Sequence, residues 1–394
     1  MITNLTEREQ SRQLPYFYWL LQVAGIGDRT ILRLLEQVEA PEQIYFAKDK
    51  QLEAWQSEGI LLEKQVQNLK RARRMANLYS AFDKLQKEGI SLYPFYHPEY
   101  PEKLRGIPDC PAALFVKGTL PDPTKKSLAV IGARSCSAYG RRMAEEFAGT
   151  IGQAGIQIIS GMARGVDGIS QTAALQAGGR SFGVLGCGVD ICYPPQNRAL
   201  YGRLIQQGGV LSSYLPGTRP QGQLFPPRNR IISGLADALL VIEAREKSGT
   251  LITVDMALEQ GREVYALPGR VGDAISEGTN RLIAQGAGIA LSPEALLEEL
   301  LGGMFSTADS LGKKVAGKKV TGKQAERLPA AFCNMTEREQ MLYGILDDYP
   351  KSMETIRREL PPEITYPELM ELLVKLCVKG VAEQLPGGNI YRRC

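Results

Sequence analysis

Leu-Ala-Val-Ile-Gly-Ala-Arg-Ser (128–135) and Gln-Ile-Ile-Ser-Gly-Met-Ala-Arg-Gly-Val-Asp (157–167) are two versions of one device, separated by a single helix-length interval. In each, an apolar run with strand character ends in small residues and an arginine, then meets a helix-like pattern. Backbone amides at a helix N-terminus, with a guanidinium nearby, form a site for an anion such as phosphate. Two such turns on neighbouring strands would lie side by side at one edge of a parallel sheet, which points to a ligand with more than one phosphate.

Outward from this pair the alternation continues. Strand patterns at 128–132, 156–160, 181–186, 209–213, 238–243, 263–267 and 288–291 are separated by helical stretches. Repeated βαβ units of this kind predict an α/β fold with a doubly wound parallel sheet. A Pro- and Tyr-rich stretch, 90–123, precedes them and contains a further strand pattern at 113–118. Ligands of open α/β sheets bind beyond the carboxyl ends of the strands, where five loops would gather. These are 132–135, 160–167, 186–190, 226–232 and 243–250, and their vocabulary of Gly, Ser, Asn and Arg suits phosphate and sugar better than proton transfer.

Two common nucleotide motifs are missing. Gly132 stands alone where Gly-x-Gly-x-x-Gly is needed, and Gly249-Thr250 follows Lys247 in the reverse of a phosphate-loop order. Asp167 has the alternative of capping a helix near Gly168, and Asp190 that of bracing the loop ending in Tyr193-Pro194. Arg228 and Arg230, flanking Asn229 after Pro226-Pro227, suit anion binding at a helix start better than surface charge, and the Lys247-Ser248-Gly249-Thr250 turn is weighed the same way.

A length of 394 residues gives room for two or three domains, 44% hydrophobic content supports at least one full core, and the formal net charge is only +4. Charge is distributed unevenly. Residues 128–291 hold fifteen basic and twelve acidic side chains, fourteen of the basic ones being Arg, the better bidentate partner for phosphate. Residues 335–394 hold eight basic and ten acidic side chains. Seven scattered cysteines with no Cys-x-x-Cys pair, and a single histidine (His97), argue against a zinc site and for reduced thiols. With no secretory h-region and no run of eighteen apolar residues, a soluble, cytoplasmic chain without membrane contact is expected.

Before the Pro- and Tyr-rich stretch, residues 1–80 carry helical patterns around Ala24-Gly25-Ile26-Gly27. That tetrapeptide reads either as a helix-hairpin-helix DNA contact or as a small-residue turn between packed helices, the latter being favoured. Lys70, Arg71, Arg73 and Arg74 read as a solvated helix face. Residues 302–330 are Gly- and Lys-rich and read as a flexible tether. Beyond it come three helix patterns, a Thr336/Glu339 capping box and a Gly387-Gly388 hairpin, which together fit a winged-helix module.

Taken together these segments resemble the DNA-processing protein A family (DprA, also called Smf). The likeness is carried by Val130-Ile131-Gly132-Ala133-Arg134, by 160–167, by 186–190 with Tyr193-Pro194, by 225–235, by 248–253, by Ala266-Leu267-Pro268-Gly269 and by Gly278-Thr279-Asn280. It implies an extended Rossmann-like core at 89–301, a helix-hairpin-helix or SAM-like all-α domain at 1–88, a basic linker at 302–334 and a winged-helix domain at 335–394. It further implies a cofactor-free, non-enzymatic protein that binds single-stranded DNA, acts as a homodimer through the core, and loads the RecA recombinase during natural transformation. By the same likeness Arg134 would grip the DNA backbone, and Ser160, Asn229 and Arg230 would line the pocket. Gly161, Ala163, Arg164, Asn197, Arg198, Arg228, Lys247, Ser248 and Gly249 complete the expected DNA-binding set. One departure stands out. The family's basic residue after Tyr-Pro is replaced by Pro195, with Arg198 three positions on.

Two competing readings have sequence tests. Nucleotide phosphoribohydrolases of the lysine-decarboxylase-like group share this kind of sheet, but the position of their catalytic acid is Thr253 here. A transcription regulator acting through the C-terminal module is disfavoured by that module's acidic balance.

Overall fold

A computed structural model describes residues 7–75, 77–302, 335–346, 350–384 and 390–392. Short aliphatic runs flanked by glycine or polar turns become strands wherever both faces of the run are covered. Ser127–Ile131, Gln157–Ser160, Ser181–Val184, Gly209–Ser212 and Ala238–Val241 are buried at every position. With Ser91–Pro94, Ala113–Gly118, Glu263–Ala266 and Gly288–Ile289 they form a nine-stranded sheet. Numbered β1 to β9 in chain order, the strands lie in the order β1-β2-β6-β5-β4-β3-β7-β8-β9. All pairings from β6 to β9 are parallel.

All seven strands expected between 128 and 291 are present, each within two residues of its expected bounds. The strand expected at 113–118 is also present and joins the same sheet. As β2 it runs antiparallel to β6, and β1 runs antiparallel to β2. The β1/β2 pair thereby covers an edge that would otherwise present unpaired backbone groups.

The decisive feature is the reversal at β3. Ala129 pairs with Ile159 on one side and with Leu239 on the other. From β3 the chain winds outward in one direction through β4, β5 and β6, then returns to add β7, β8 and β9 on the opposite side. At such a switch point the loops that follow β3 and β7 part, leaving a crevice.

Six helices precede the sheet: Glu7–Leu21, Asp28–Glu36, Pro41–Phe46, Asp49–Ser57, Glu63–Met75 and Leu78–Lys87. Phe17, Leu20, Leu34, Leu52, Trp55 and Leu69 form their core, and that core continues into Phe115 of β2. The Ala24–Gly27 turn is packed against Glu63–Met75: Gln65 donates to the Gly25 carbonyl at 2.8 Å and Asn68 to the Ala24 carbonyl at 2.7 Å. Two of the four neighbouring cations are not simply solvated. Lys70 pairs with Asp49 at 2.8 Å, and Arg73 donates to the carbonyls of Ile44 and Ala47, closing the end of a short helix.

A second compact unit contains the C-terminal residues. Helices Glu337–Ile345, Met353–Glu359 and Tyr366–Val378 are followed by an antiparallel pair, Ala382–Gln384 with Ile390–Arg392. The Thr336/Glu339 capping box is formed in both directions. The Gly387-Gly388 turn, and the tether apart from its first residue, lie outside the described residues. Among the described residues, no helix is long and apolar enough to cross a membrane.

Candidate nucleic-acid interface

The two arginine-bearing loops interlock. A Cβ on Gly165, whose φ is +74°, would stand 2.2 Å from the Ala133 carbonyl oxygen and 2.6 Å from that of Arg134. A Cβ on Gly132 would meet Val166 at 2.7 Å. Only glycine permits this approach, and the Val166 amide uses it to donate to the Ala133 carbonyl at 3.2 Å. The helix Val166–Gln176 therefore spends its first amide on the neighbouring loop rather than on an external anion. This modifies the expectation of two equivalent phosphate-binding turns.

Beneath these loops lies a buried charge arrangement centred on Gly161. A Cβ there would be 2.7 Å from the Asp167 carboxylate and 2.8 Å from the Arg228 guanidinium. Asp167 does not cap the helix; its carboxylate accepts from the Gly161 amide at 3.1 Å. Burial pushes the Asp167 carboxyl up, while Arg228 and the amides of Ala163 and Gly161 oppose that shift. Burial likewise lowers Arg228, opposed chiefly by Asp167, yet a guanidinium remains a cation in proteins. Arg228 donates to the carbonyls of Gly161 (2.9 Å) and Val184, joining the ends of β4 and β5. Asn197 donates to the carbonyls of Met162 and Ala163 at 3.0 and 3.1 Å. Between them Met162 is held at φ +54°, a left-handed conformation that costs a non-glycine residue roughly 1–3 kcal/mol.

Of the expected DNA-binding residues, Ser160, Gly161 and Arg228 are thus interior. Ser160 is fully buried and donates to the Val130 carbonyl at 2.6 Å. Arg230 is committed elsewhere: its guanidinium pairs with Asp28 at 2.9 Å and donates to the Asp109 carbonyl at 2.7 Å. Asn229 is half-buried, its side-chain oxygen accepting from Arg228 at 3.1 Å. Ala163 is half-buried in the loop braced by Asn197.

The remaining cations face solvent. Arg134, Arg164, Arg198 and Lys247 are exposed and make no ion pair with a carboxylate among the described residues. The Arg134 guanidinium lies 6.0 Å from the Phe225 ring centroid, and Arg228 lies 5.9 Å from the same ring. Tyr193 stacks on Phe225 with centroids 5.6 Å apart and planes inclined by 30°. Phe225 is half-buried and Tyr193 is 41% exposed, so the pair presents an aromatic surface beside Arg134. Ser248 caps the helix Gly249–Glu259 by accepting from the Thr250 amide, with exposed Lys247 just before it.

Pro195 opens a single 3₁₀ turn, Pro195–Asn197, that leads into the helix Arg198–Gln207 and leaves Arg198 exposed. Asp190 braces a different loop from the one expected, accepting from the Gly217 amide at 2.9 Å. Thr253 is buried in the helix Gly249–Glu259, with no carboxylate in its place. Among the described residues there is no cluster of His, Cys, Asp and Glu arranged for a metal ion.

The family model described as DNA recombination-mediator protein A matches residues 91–301. Protein Smf of Escherichia coli is 40% identical over 342 residues, covering 85% of this chain and 88% of that protein. The DNA processing protein DprA of Streptococcus pneumoniae is 34% identical over 285 residues, covering 72% of this chain and 97% of that one. Its X-ray structure superposes with a TM-score of 0.63 at 32% identity, again over 72% and 97% of the two chains. Family model, sequence identity and fold thus agree, and the chain belongs to the DNA recombination-mediator protein A family, the DprA/Smf proteins.

Proposed function

We propose that this protein binds single-stranded DNA at the carboxyl edge of its parallel sheet and delivers the strand to the RecA recombinase in transformation and recombination. The observation that carries the binding step is the juxtaposition of exposed Arg134 with the Phe225–Tyr193 aromatic pair. Cations along a groove follow the phosphate backbone, and aromatic faces accept unstacked bases of any identity. A paired duplex hides its bases from such a surface, so single strands are preferred.

In this reading Arg134, Arg164, Arg198 and Lys247 contact phosphates, with Arg198 taking the part of the basic residue absent at Pro195. Ser160, Gly161, Asn197, Arg228 and Asn229 hold the loops in place, and the backbone around Ala163, Ser248 and Gly249 lines the strand's path. The six helices before the sheet form a helical domain over 1–88, 302–334 is a linker, and 335–394 is a winged-helix domain for protein contacts. A homodimer through the core would present two such sites to one strand, raising affinity by effective concentration. RecA loading and the dimer rest on the family resemblance.

A gel-shift comparison of single-stranded and duplex DNA tests the reading. The wild-type protein should shift the single strand at lower concentration, and folded Arg134→Ala should need several-fold more protein. Equal affinity for both DNA forms, or no effect of the substitution, would overturn it.

A further inference from the structure

A cavity of about 910 Å³ opens between the helix Asp28–Glu36 and the start of the helix Phe225–Leu235. Pro226 and Pro227 are part of its wall, and they directly follow Phe225 of the aromatic pair. Phe95 and Tyr96, which also line it, directly follow β1, and Asp109 and Cys110 come just before β2. The β1 strand points the same way as the parallel strands, because it is antiparallel to β2 and β2 is antiparallel to β6. The cavity therefore lies at the same carboxyl edge as the loops of the candidate interface.

Its chemistry differs from that of the loops. Leu32, Ile107, Pro108 and Met256, with Phe95 and Tyr96, give it a mainly apolar lining. Four arginines border it, but each is already engaged. Arg29 pairs with Asp109, Arg105 with Glu102 and Arg230 with Asp28, while Arg33 donates to the Gly59 carbonyl. With three of these four guanidiniums paired to carboxylates, the space favours a flat, uncharged group over phosphate.

We infer that this cavity takes nucleobases of the bound strand, so that the strand runs from Phe225 across Pro226-Pro227 into it while its phosphates stay outside. The inference rests on the proposed single-strand binding and adds a second base subsite built partly by the helical segment before the sheet. Leu32 and Met256, on two different helices, are only partly buried and each can be replaced by Trp to fill the space.

Fluorescence-anisotropy titrations with oligothymidylates of about six and about twenty nucleotides bracket one compact single-strand site. Leu32→Trp should weaken binding of the longer oligomer about tenfold, the loss of one stacked base, and leave the shorter one unchanged. Should Leu32→Trp unfold, as judged by its thermal transition, Met256→Trp makes the same demand from another helix. Wild-type affinity for both lengths in a folded, filled variant would overturn the inference while sparing the proposed function. Failure of wild-type protein to bind either oligomer would overturn both. Anilinonaphthalene sulfonate bound to wild-type but not filled protein, and not displaced by the longer oligomer, would identify a small-molecule pocket and overturn the base subsite.

Discussion

Gly161 governs the interface without offering it a side chain. A Cβ there would stand 2.7 Å from the Asp167 carboxylate and 2.8 Å from the Arg228 guanidinium, closer than side chains tolerate. In Gly161→Ala one of three things must move: the carboxylate that holds the loop, the guanidinium that joins β4 to β5, or the loop itself. Overpacking of this kind costs about 1–3 kcal/mol. Urea denaturation should show that loss, with weaker single-strand binding in the protein that remains folded. Gly249 is the contrast. A Cβ there meets nothing, and Gly249→Ala at a helix start should be neutral or stabilising by up to about 1 kcal/mol. Equal stability of both variants would contradict the account of Gly161. The exposure of Arg134 was legible in the sequence, because an arginine after an apolar strand and a glycine has nowhere apolar to go. The commitment of Arg230 was not legible, since its partner Asp28 is 202 positions away. Arg228, two residues before it in the same motif, is drawn inward only because Asp167 compensates its charge.

At the scale of elements, aliphatic runs announced the parallel strands, and small residues announced the loops that follow them. Their order was hidden, because an apolar run buried on both faces pairs equally well with several others. Part of what fixes the order is polar. At the foot of β3, Asp237 accepts from Lys103 at 2.7 Å and from the Ser127 amide at 2.8 Å, and Ser127 donates to the Leu235 carbonyl at 2.8 Å. These bonds tie the lead-in to β7 to the start of β3, the pair at which the sheet reverses. Burial alone would raise the Asp237 carboxyl, but the Lys103 and Ser127 hydrogen bonds prevail and hold it below the ordinary carboxylate range. A carboxyl with a depressed folded-state pKa adds stability that is complete above its unfolded pKa of about 3.9 and fades as pH falls through the folded value. Asp237→Asn should therefore cost about 1–3 kcal/mol at neutral pH. The gap between variant and wild type should narrow below about pH 4. Thermal unfolding at several pH values checks this, and a gap that widens on acidification would refute the role given to Asp237.

For the whole molecule, the formal net charge of +4 on 394 residues predicts little long-range attraction for a polyanion. At physiological salt, fields beyond about 8 Å are screened, so what counts is the handful of exposed cations at the carboxyl edge. The fold concentrates them by inheritance from its topology: parallel pairing brings the loops after β3, β4, β5 and β7 to one edge, carrying Arg134, Arg164, Arg198 and Lys247. Each phosphate neutralised on a single strand contributes about −0.7 to the slope of log affinity against log salt. Four contacts at one site predict a slope near −2.8, and a fourfold rise in salt should weaken binding roughly fifty-fold. Arg164→Ala and Lys247→Ala should each make the slope shallower by about 0.7, whatever the base composition of the strand. A slope near zero in wild-type protein would mean that binding rests on the aromatic pair alone. A slope several times steeper would place cations outside these loops on the strand, the residues beyond Gly302 being the first to examine by truncation.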